Sequence, residues 1–209
     1  MGTLYLILGI ILAYLIGSIP SAVWVGKTFY GIDVRTQGSG NAGATNTIRV
    51  LGVKAGLPVL LFDVFKGWLA VFLVRYFVPD NFPSDSFIIY EIIVATAVVL
   101  GHVLPIFAGF RGGKGIATLL GVGIAVYPME VLIVVAIFVG MLIIFKYVSL
   151  ASITASISFP LIVIFVFHQD SLPLIILAVF VGIFVPITHR KNIKRLLEGT
   201  ESKFTLKKK

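Results

Sequence analysis

Two short polar segments interrupt an otherwise apolar chain: Gly38-Ser39-Gly40-Asn41-Ala42-Gly43-Ala44-Thr45-Asn46 and Arg111-Gly112-Gly113-Lys114-Gly115. Glycine lets a backbone turn sharply and aim successive N–H groups at an anion, and Lys or Arg supplies the opposing charge. Segments of this make-up bind phosphate. Further polar residues stand inside or at the ends of apolar runs, where each carries a cost and is a functional candidate by default. Asp63 and Lys66 are three residues apart, on one helix face, followed by Gly67; the plain reading is an internal ion pair that packs two helices. His102 lies between Gly101 and Pro105, and its site and packing roles stay open. Ser149, Ser152 and Ser156 share a helix face, with Ser149 nearest the run's end. His189 and Asn192 are spaced i, i+3 among Arg190, Lys191, Lys194 and Arg195. The four basic residues read as a membrane anchor, which leaves His189 and Asn192 unexplained. His168 reads as a solvated turn residue.

These residues must be held by membrane helices. Mean hydropathy is +1.07, 58% of residues are hydrophobic and 12% are charged, which excludes an ordinary soluble domain. A bilayer crossing needs about 20 apolar residues, and such runs recur along the chain. We read seven: 3–25, 55–78, 87–109, 116–128, 130–146, 151–167 and 173–188, the fourth being short. The whole chain, 1–209, is read as one all-α integral membrane domain. The first run lacks a basic leader and a small-residue cleavage site, so it is kept as a helix rather than a signal peptide.

Charge gives the expected orientation. With Met1 outside, the connections 27–54, 110–115, 146–150 and 189–209 face the cytoplasm. They carry 15 of the 17 basic residues, ending in Lys207–Lys209, with Lys66 and Arg75 left inside the second run. The opposite connections, 79–86, 127–130 and 168–172, hold no Lys or Arg, only Asp80, Asp85, Glu130 and Asp170. The positive-inside rule then predicts an outside N-terminus and a cytoplasmic C-terminus, and an even number of spans would mix the two sets. The same topology accounts for the net charge of +8, so no nucleic-acid partner is implied. There is no cysteine, which removes disulfides and thiolate catalysis. The nine carboxylates are scattered, so no metal site is expected.

Familiar nucleotide motifs fail. Residues 38–43 fit G-x-G-x-x-G and Asp63 follows at a suitable spacing, but that fingerprint needs a preceding strand and a parallel sheet. The second segment is no Walker A, because Gly115 rather than Ser or Thr follows Lys114. The anion-binding physics survives, and the flanking apolar runs argue that one substrate is a lipid. Acyl transfer from a lipid-like donor to a phosphorylated acceptor uses both properties.

The order of segments resembles the bacterial acyl-phosphate:glycerol-3-phosphate acyltransferase family (PlsY). The likeness runs through Gly38–Asn46, Asp63-x-x-Lys66-Gly67, and Gly101-His102-x-x-Pro105 continuing to Gly112-Gly113-Lys114-Gly115-x-Ala117-Thr118. It continues through Tyr147-Val148-Ser149-Leu150-Ala151-Ser152 and His189-Arg190-x-Asn192-Ile193-x-Arg195-Leu196. The resemblance implies transfer of a fatty acyl group from acyl phosphate to the 1-hydroxyl of glycerol 3-phosphate, giving lysophosphatidic acid and phosphate for phospholipid biosynthesis. It also implies no cofactor, an inner-membrane location and a cytoplasmic active site. An acyl phosphate is already activated, so positioning and charge stabilisation suffice and no covalent nucleophile is needed.

On this reading the 111–115 loop, through Gly112, Gly113, Gly115 and Lys114, holds the acyl-phosphate phosphate. Ser39, Arg49, Lys114, Ser149, His189 and Asn192 bind glycerol 3-phosphate, with Ser39, Lys114 and His189 as the catalytic set. Asn41, Gly43, Thr45 and Asn46 shape the first loop, and Asp63, Lys66 and His102 are structural. The proton acceptor is His189 or a substrate phosphate oxygen, with the latter favoured. Acyl-CoA and acyl-carrier-protein acyltransferases pair a His with an Asp five residues on; here those positions hold Phe107, Pro173 and Lys194. The rivals are a phosphate or organophosphate transporter and a lipid-binding scaffold. A transporter should spread polar groups through both halves of its bundle, and a scaffold needs no cation-plus-glycine loops.

Overall fold

The computed structural model describes residues 2–79 and 82–205, all helix and connection. Met1, Asp80 and Lys207–Lys209, which entered the charge argument, lie outside the described residues. The chain divides into two compact units, one up to Val126 and one from Tyr127.

The first unit holds α1 (Gly2–Gly17), α2 (Ser21–Tyr30), α3 (Ala44–Leu51), α4 (Val53–Leu73), α5 (Ser84–Val103) and α6 (Ile116–Val126). The first apolar run, expected as one helix over 3–25, is broken at Ser18–Pro20, where α1 and α2 meet at 41°. Pro20 has no N–H and disfavours helical geometry at Ile19, so the α1 ladder cannot pass through it. At the break the Ile19 carbonyl accepts from the Ser21 amide at 3.1 Å and from Lys66 Nζ at 3.0 Å. The connection expected over 27–54 is itself partly helical, holding the end of α2, a single turn at Val34–Thr36 and α3.

Small residues set the packing. A Cβ on Gly17 would collide with the Val98 carbonyl, and one on Gly101 with that of Tyr14, so α1 and α5 touch backbone to backbone. Gly67 and Gly121 do the same for α4 and α6, against the carbonyls of Thr118 and Val64. With lipid tails as apolar as leucine, such close approach is what holds membrane helices together.

The second unit holds α7 (Glu130–Phe145), α8 (Val148–Leu161), α9 (Leu172–Thr188) and α10 (Arg190–Leu197). After Pro160, α8 continues as a wider π-type turn over Ile162–Val166, a normal response to a lost helix hydrogen bond. Tyr127 packs edge-on against Phe159, ring centroids 5.0 Å apart, and donates to the Leu174 carbonyl at 2.6 Å.

Among the described residues, three continuous stretches are long and apolar enough to cross a bilayer: Val53–Phe77, Ser84–Ala108 and Val148–Val166. Two bent pairs, α1 with α2 and α9 with α10 (61°), raise this to five. The fourth and fifth expected spans, α6 and α7, have 11 and 16 residues. At 1.5 Å per residue both fall short of a hydrocarbon core about 30 Å thick.

Candidate active site

In the first unit the two glycine loops are joined. Asp33 Oδ1 accepts from the Arg35 amide and Nε, both at 3.0 Å, and Asp33 Oδ2 accepts from Arg35 Nη2 at 2.8 Å. This forked ion pair fixes the guanidinium, whose Nη1 then donates to the Ala108 carbonyl at 2.8 Å and reaches that of Arg111 at 3.5 Å. The Arg35 hydrogen bond holds the Asp33 carboxyl well below the usual carboxylate range, against the opposing effect of burial; Lys27, 3.3 Å away, helps. Arg35 was read only as a topology charge and Asp33 not at all.

Asn46 organises the first loop from inside α3. Its Oδ1 accepts from the Ser39 amide at 2.8 Å, and its Nδ2 donates to the carbonyls of Val34 (2.8 Å) and Gln37 (3.1 Å). Gly43 precedes α3 in extended backbone and its carbonyl accepts from Thr47 Oγ1 at 3.1 Å. Asn41 lies beside Gly43, and Thr45 is half-buried in the first turn of α3. Ser39 and Arg49 are exposed.

The second loop is tied to the end of α5. The Gly112 amide donates to the Val103 carbonyl and the Gly113 amide to that of His102, each at 3.2 Å. A Cβ on Gly113 would stand 3.0 Å from the Ala42 carbonyl of the first loop, so these two loops are in contact. Gly115 takes a left-handed φ of +85° and leads into α6, whose first amides follow directly after Lys114. With the Gly112 and Gly113 amides bound to α5 carbonyls, the groups that can meet an anion are the amides that follow, at the N-terminus of α6, and the half-buried lysine. Below the loop, Asp63 and Lys66 pair at 2.8 Å and His102 Nδ1 lies 3.6 Å from the same Asp63 oxygen.

In the second unit, Ser149, His189 and Asn192 are 5%, 2% and 6% exposed. Ser152 and Ser156 bond back to the carbonyls of Val148 and Ile153 at 2.9 Å each, whereas Ser149 in the first turn of α8 does not. Ser149 Oγ and Asn192 Nδ2 donate instead to Glu201 Oε1, at 2.7 and 2.6 Å, and Arg195 Nε donates to Glu201 Oε2 at 2.7 Å. The tail reaches this place because α10 ends at Leu197, the chain turns at Gly199 with φ +68°, the Thr200 amide donates back to the Arg195 carbonyl at 2.8 Å, and the Phe204 amide donates to the Lys146 carbonyl. Burial alone would raise the Glu201 pKa, but hydrogen bonds from Ser149, Asn192 and Arg195 outweigh it and the carboxyl sits below its ordinary value. Sequence reading missed Glu201.

His189 closes α9. Its Nδ1 stands 2.9 Å from the Val185 carbonyl, which can only accept, so the proton is on Nδ1 and the basic lone pair on Nε2. Among the described residues no cluster of His, Asp or Glu has metal-binding geometry.

The architecture places the chain among all-helical integral membrane proteins with several spans. Residues 7–199 match the family model described as glycerol-3-phosphate acyltransferase. The chain is 46% identical to the glycerol-3-phosphate acyltransferase of Fusobacterium nucleatum, over 93% of this chain and 96% of that one. It is 43% identical to that of Chlorobaculum tepidum, covering 96% and 97% respectively. The crystal structure of PlsY, an integral membrane glycerol 3-phosphate acyltransferase, superposes with a TM-score of 0.84 in its glycerol 3-phosphate form and 0.81 in its lysophosphatidic acid form. Both matches have 38% identity and cover 96% of either chain. The chain therefore belongs to the glycerol-3-phosphate acyltransferase family and is an enzyme of the PlsY type.

Proposed function

We propose that this acyltransferase takes its acyl group from an acyl phosphate and delivers it to the 1-hydroxyl of glycerol 3-phosphate. The acceptor oxygen attacks the acyl carbonyl carbon, the carbon–oxygen bond to phosphate breaks, and lysophosphatidic acid and inorganic phosphate leave. The observation that carries this reading is the joined pair of glycine loops, tied through Arg35 and the Gly113–Ala42 contact. Two loops of amides and cations in one place suit a reaction in which donor and acceptor each carry a phosphate. PlsY held glycerol 3-phosphate in one crystal form and lysophosphatidic acid in another, which supports acceptor and product here.

The 111–115 loop holds the donor phosphate, with Lys114 meeting the charge that grows as phosphate departs. In the first unit Ser39, Arg49 and Lys114 are the candidates for contacting glycerol 3-phosphate, and in the second unit Ser149, His189 and Asn192 are. A substrate phosphate oxygen takes the hydroxyl proton, and His189, its ring fixed through Nδ1, orients the hydroxyl from Nε2. The seven-span arrangement, N-terminus outside and site at the cytoplasmic face of the inner membrane, rests on the charge asymmetry between connections. No cofactor enters these steps.

Purified protein in detergent, given acyl phosphate and radiolabelled glycerol 3-phosphate, should form labelled lysophosphatidic acid. Phosphate-dependent uptake in proteoliposomes without any such product would overturn the reading in favour of a transporter. His189→Ala with near-normal turnover at saturating glycerol 3-phosphate would exclude His189 as the base.

A further inference from the structure

The steps above give no work to a buried cluster of Asp63, Lys66 and His102, which are 1%, 2% and 7% exposed. Charges inside membrane helices persist when something requires them. Lys66 has an explanation, since its ammonium pairs with Asp63 and donates to the Ile19 carbonyl at the break between α1 and α2. Asp63 balances it and also accepts from Ser21 Oγ at 2.8 Å. His102 is left over, and its ring stands between two different environments. Nδ1 faces Asp63 Oδ1 at 3.6 Å. On the other side, Nε2 abuts Gly113 so closely that a Cβ there would collide with it. The main chain of the same turn, at His102 and Val103, already holds the Gly112 and Gly113 amides.

We propose that His102, anchored by Asp63, is a positioning residue for acyl transfer. Its Nε2 edge forms the floor on which Gly112-Gly113 rests, and so sets where the following amides and Lys114 point. An aliphatic side chain could fill the space but would have no polar edge for Asp63 to orient. A flat ring with a nitrogen on each side can be locked by a carboxylate and present a fixed edge to the loop. An anion cradle must be held within about 0.5 Å of its working geometry, and a misplacement near 1 Å costs about a hundredfold in rate. This inference rests on the reading that the 111–115 loop grips the donor phosphate.

The test is His102→Asn, which keeps a donor near Nδ1 for Asp63 but removes the Nε2 edge. The folded variant should show a KM for acyl phosphate raised roughly ten- to a hundredfold, with a smaller rise in KM for glycerol 3-phosphate through Lys114. A rise confined to glycerol 3-phosphate would support the positioning role and overturn the donor assignment of the loop. A second measurement addresses the contact itself. Gly113→Ala should be severely impaired by the clash with the ring, and adding His102→Ala should restore about tenfold of that loss because the space is opened. Kinetics within about twofold of the parent for folded His102→Asn, strictly additive losses in the cycle, or failure of every His102 variant to fold would each overturn the proposal.

Discussion

The two glycine loops and the Ser149–His189–Asn192 cluster use opposite means to present polar groups. The loops are built from backbone: Ser39, Gly40 and Arg111 are exposed, and order comes from beneath, through Asn46, Arg35 and the α5 carbonyls. The cluster is built from side chains that are nearly fully buried, and a carboxylate from the tail, Glu201, accepts from two of them, Ser149 and Asn192, and from Arg195 beside them. A backbone cradle is blind to most side-chain changes but is ruined by any Cβ at a crowded glycine. A side-chain cluster tolerates small changes of shape but not the loss of its shared acceptor.

That contrast can be broken by mutation. The largest loss is expected for Gly113→Ala and Lys114→Ala. Each should lower kcat/KM by about 10²–10³-fold; Lys114→Ala should leave the detergent-solubilised thermal midpoint nearly unchanged, whereas Gly113→Ala should lower it because its Cβ meets the buried His102 ring. Retention of parental kcat/KM by Lys114→Ala would show that the loop is not part of the reaction.

Glu201→Ala comes next and should act differently. It leaves Ser149, Asn192 and Arg195 without their acceptor, so stability should fall by roughly 1–3 kcal/mol and activity should fall with it. Glu201→Gln should recover part of both. An unchanged midpoint for Glu201→Ala would show that the tail does not brace the cluster.

Asp33→Asn should be milder. It weakens the fork that aims Arg35 at Ala108, so we expect about a threefold to tenfold loss of kcat/KM with KM moving more than kcat. Breaking the exposed Lys194–Glu198 pair, 3.7 Å apart, should change neither activity nor stability measurably.

The pH dependence separates the regions from the chemistry. Asp33 and Glu201 both have lowered pKa values. A carboxylate of that kind contributes stability that is complete above its unfolded value, about 4, and is lost as pH falls through the lowered folded value. Neither group titrates between pH 5 and 8. Any inflection of kcat/KM in that window therefore comes from neither carboxylate, a substrate phosphate, whose second pKa is about 6, being one source. Its disappearance in His189→Ala would assign it to the imidazole.

Hydropathy located α4, α5 and α9 to within a few residues, because long apolar runs in a membrane have little choice but helix. It missed the break at Ser18–Pro20, although Pro20 was visible, because the apolar pattern continues across it and Lys66, which donates there, lies 47 residues away. The short helices α3 and α10 were read as connection because their charges dominate their composition. Motif spacing picked out the glycines, Ser149, His189 and Asn192 as candidates. It could not pick out Glu201, which lies beyond the last recognisable segment and acts through a tail that folds back. Nor could it link His102 to Asp63, since a contact between helices leaves no mark in the spacing along either one. Lys66, read as one half of an ion pair, also donates to the Ile19 carbonyl at the break between α1 and α2.

The central claim is the identity of the donor, and a competition settles it. The purified enzyme, given glycerol 3-phosphate together with an acyl phosphate, an acyl-CoA and an acyl-carrier protein of three different chain lengths, should yield lysophosphatidic acid bearing only the acyl-phosphate chain. One inorganic phosphate should be released for each product molecule. Lysophosphatidic acid carrying the acyl-CoA or carrier-protein chain, or product formed without phosphate release, would contradict the account.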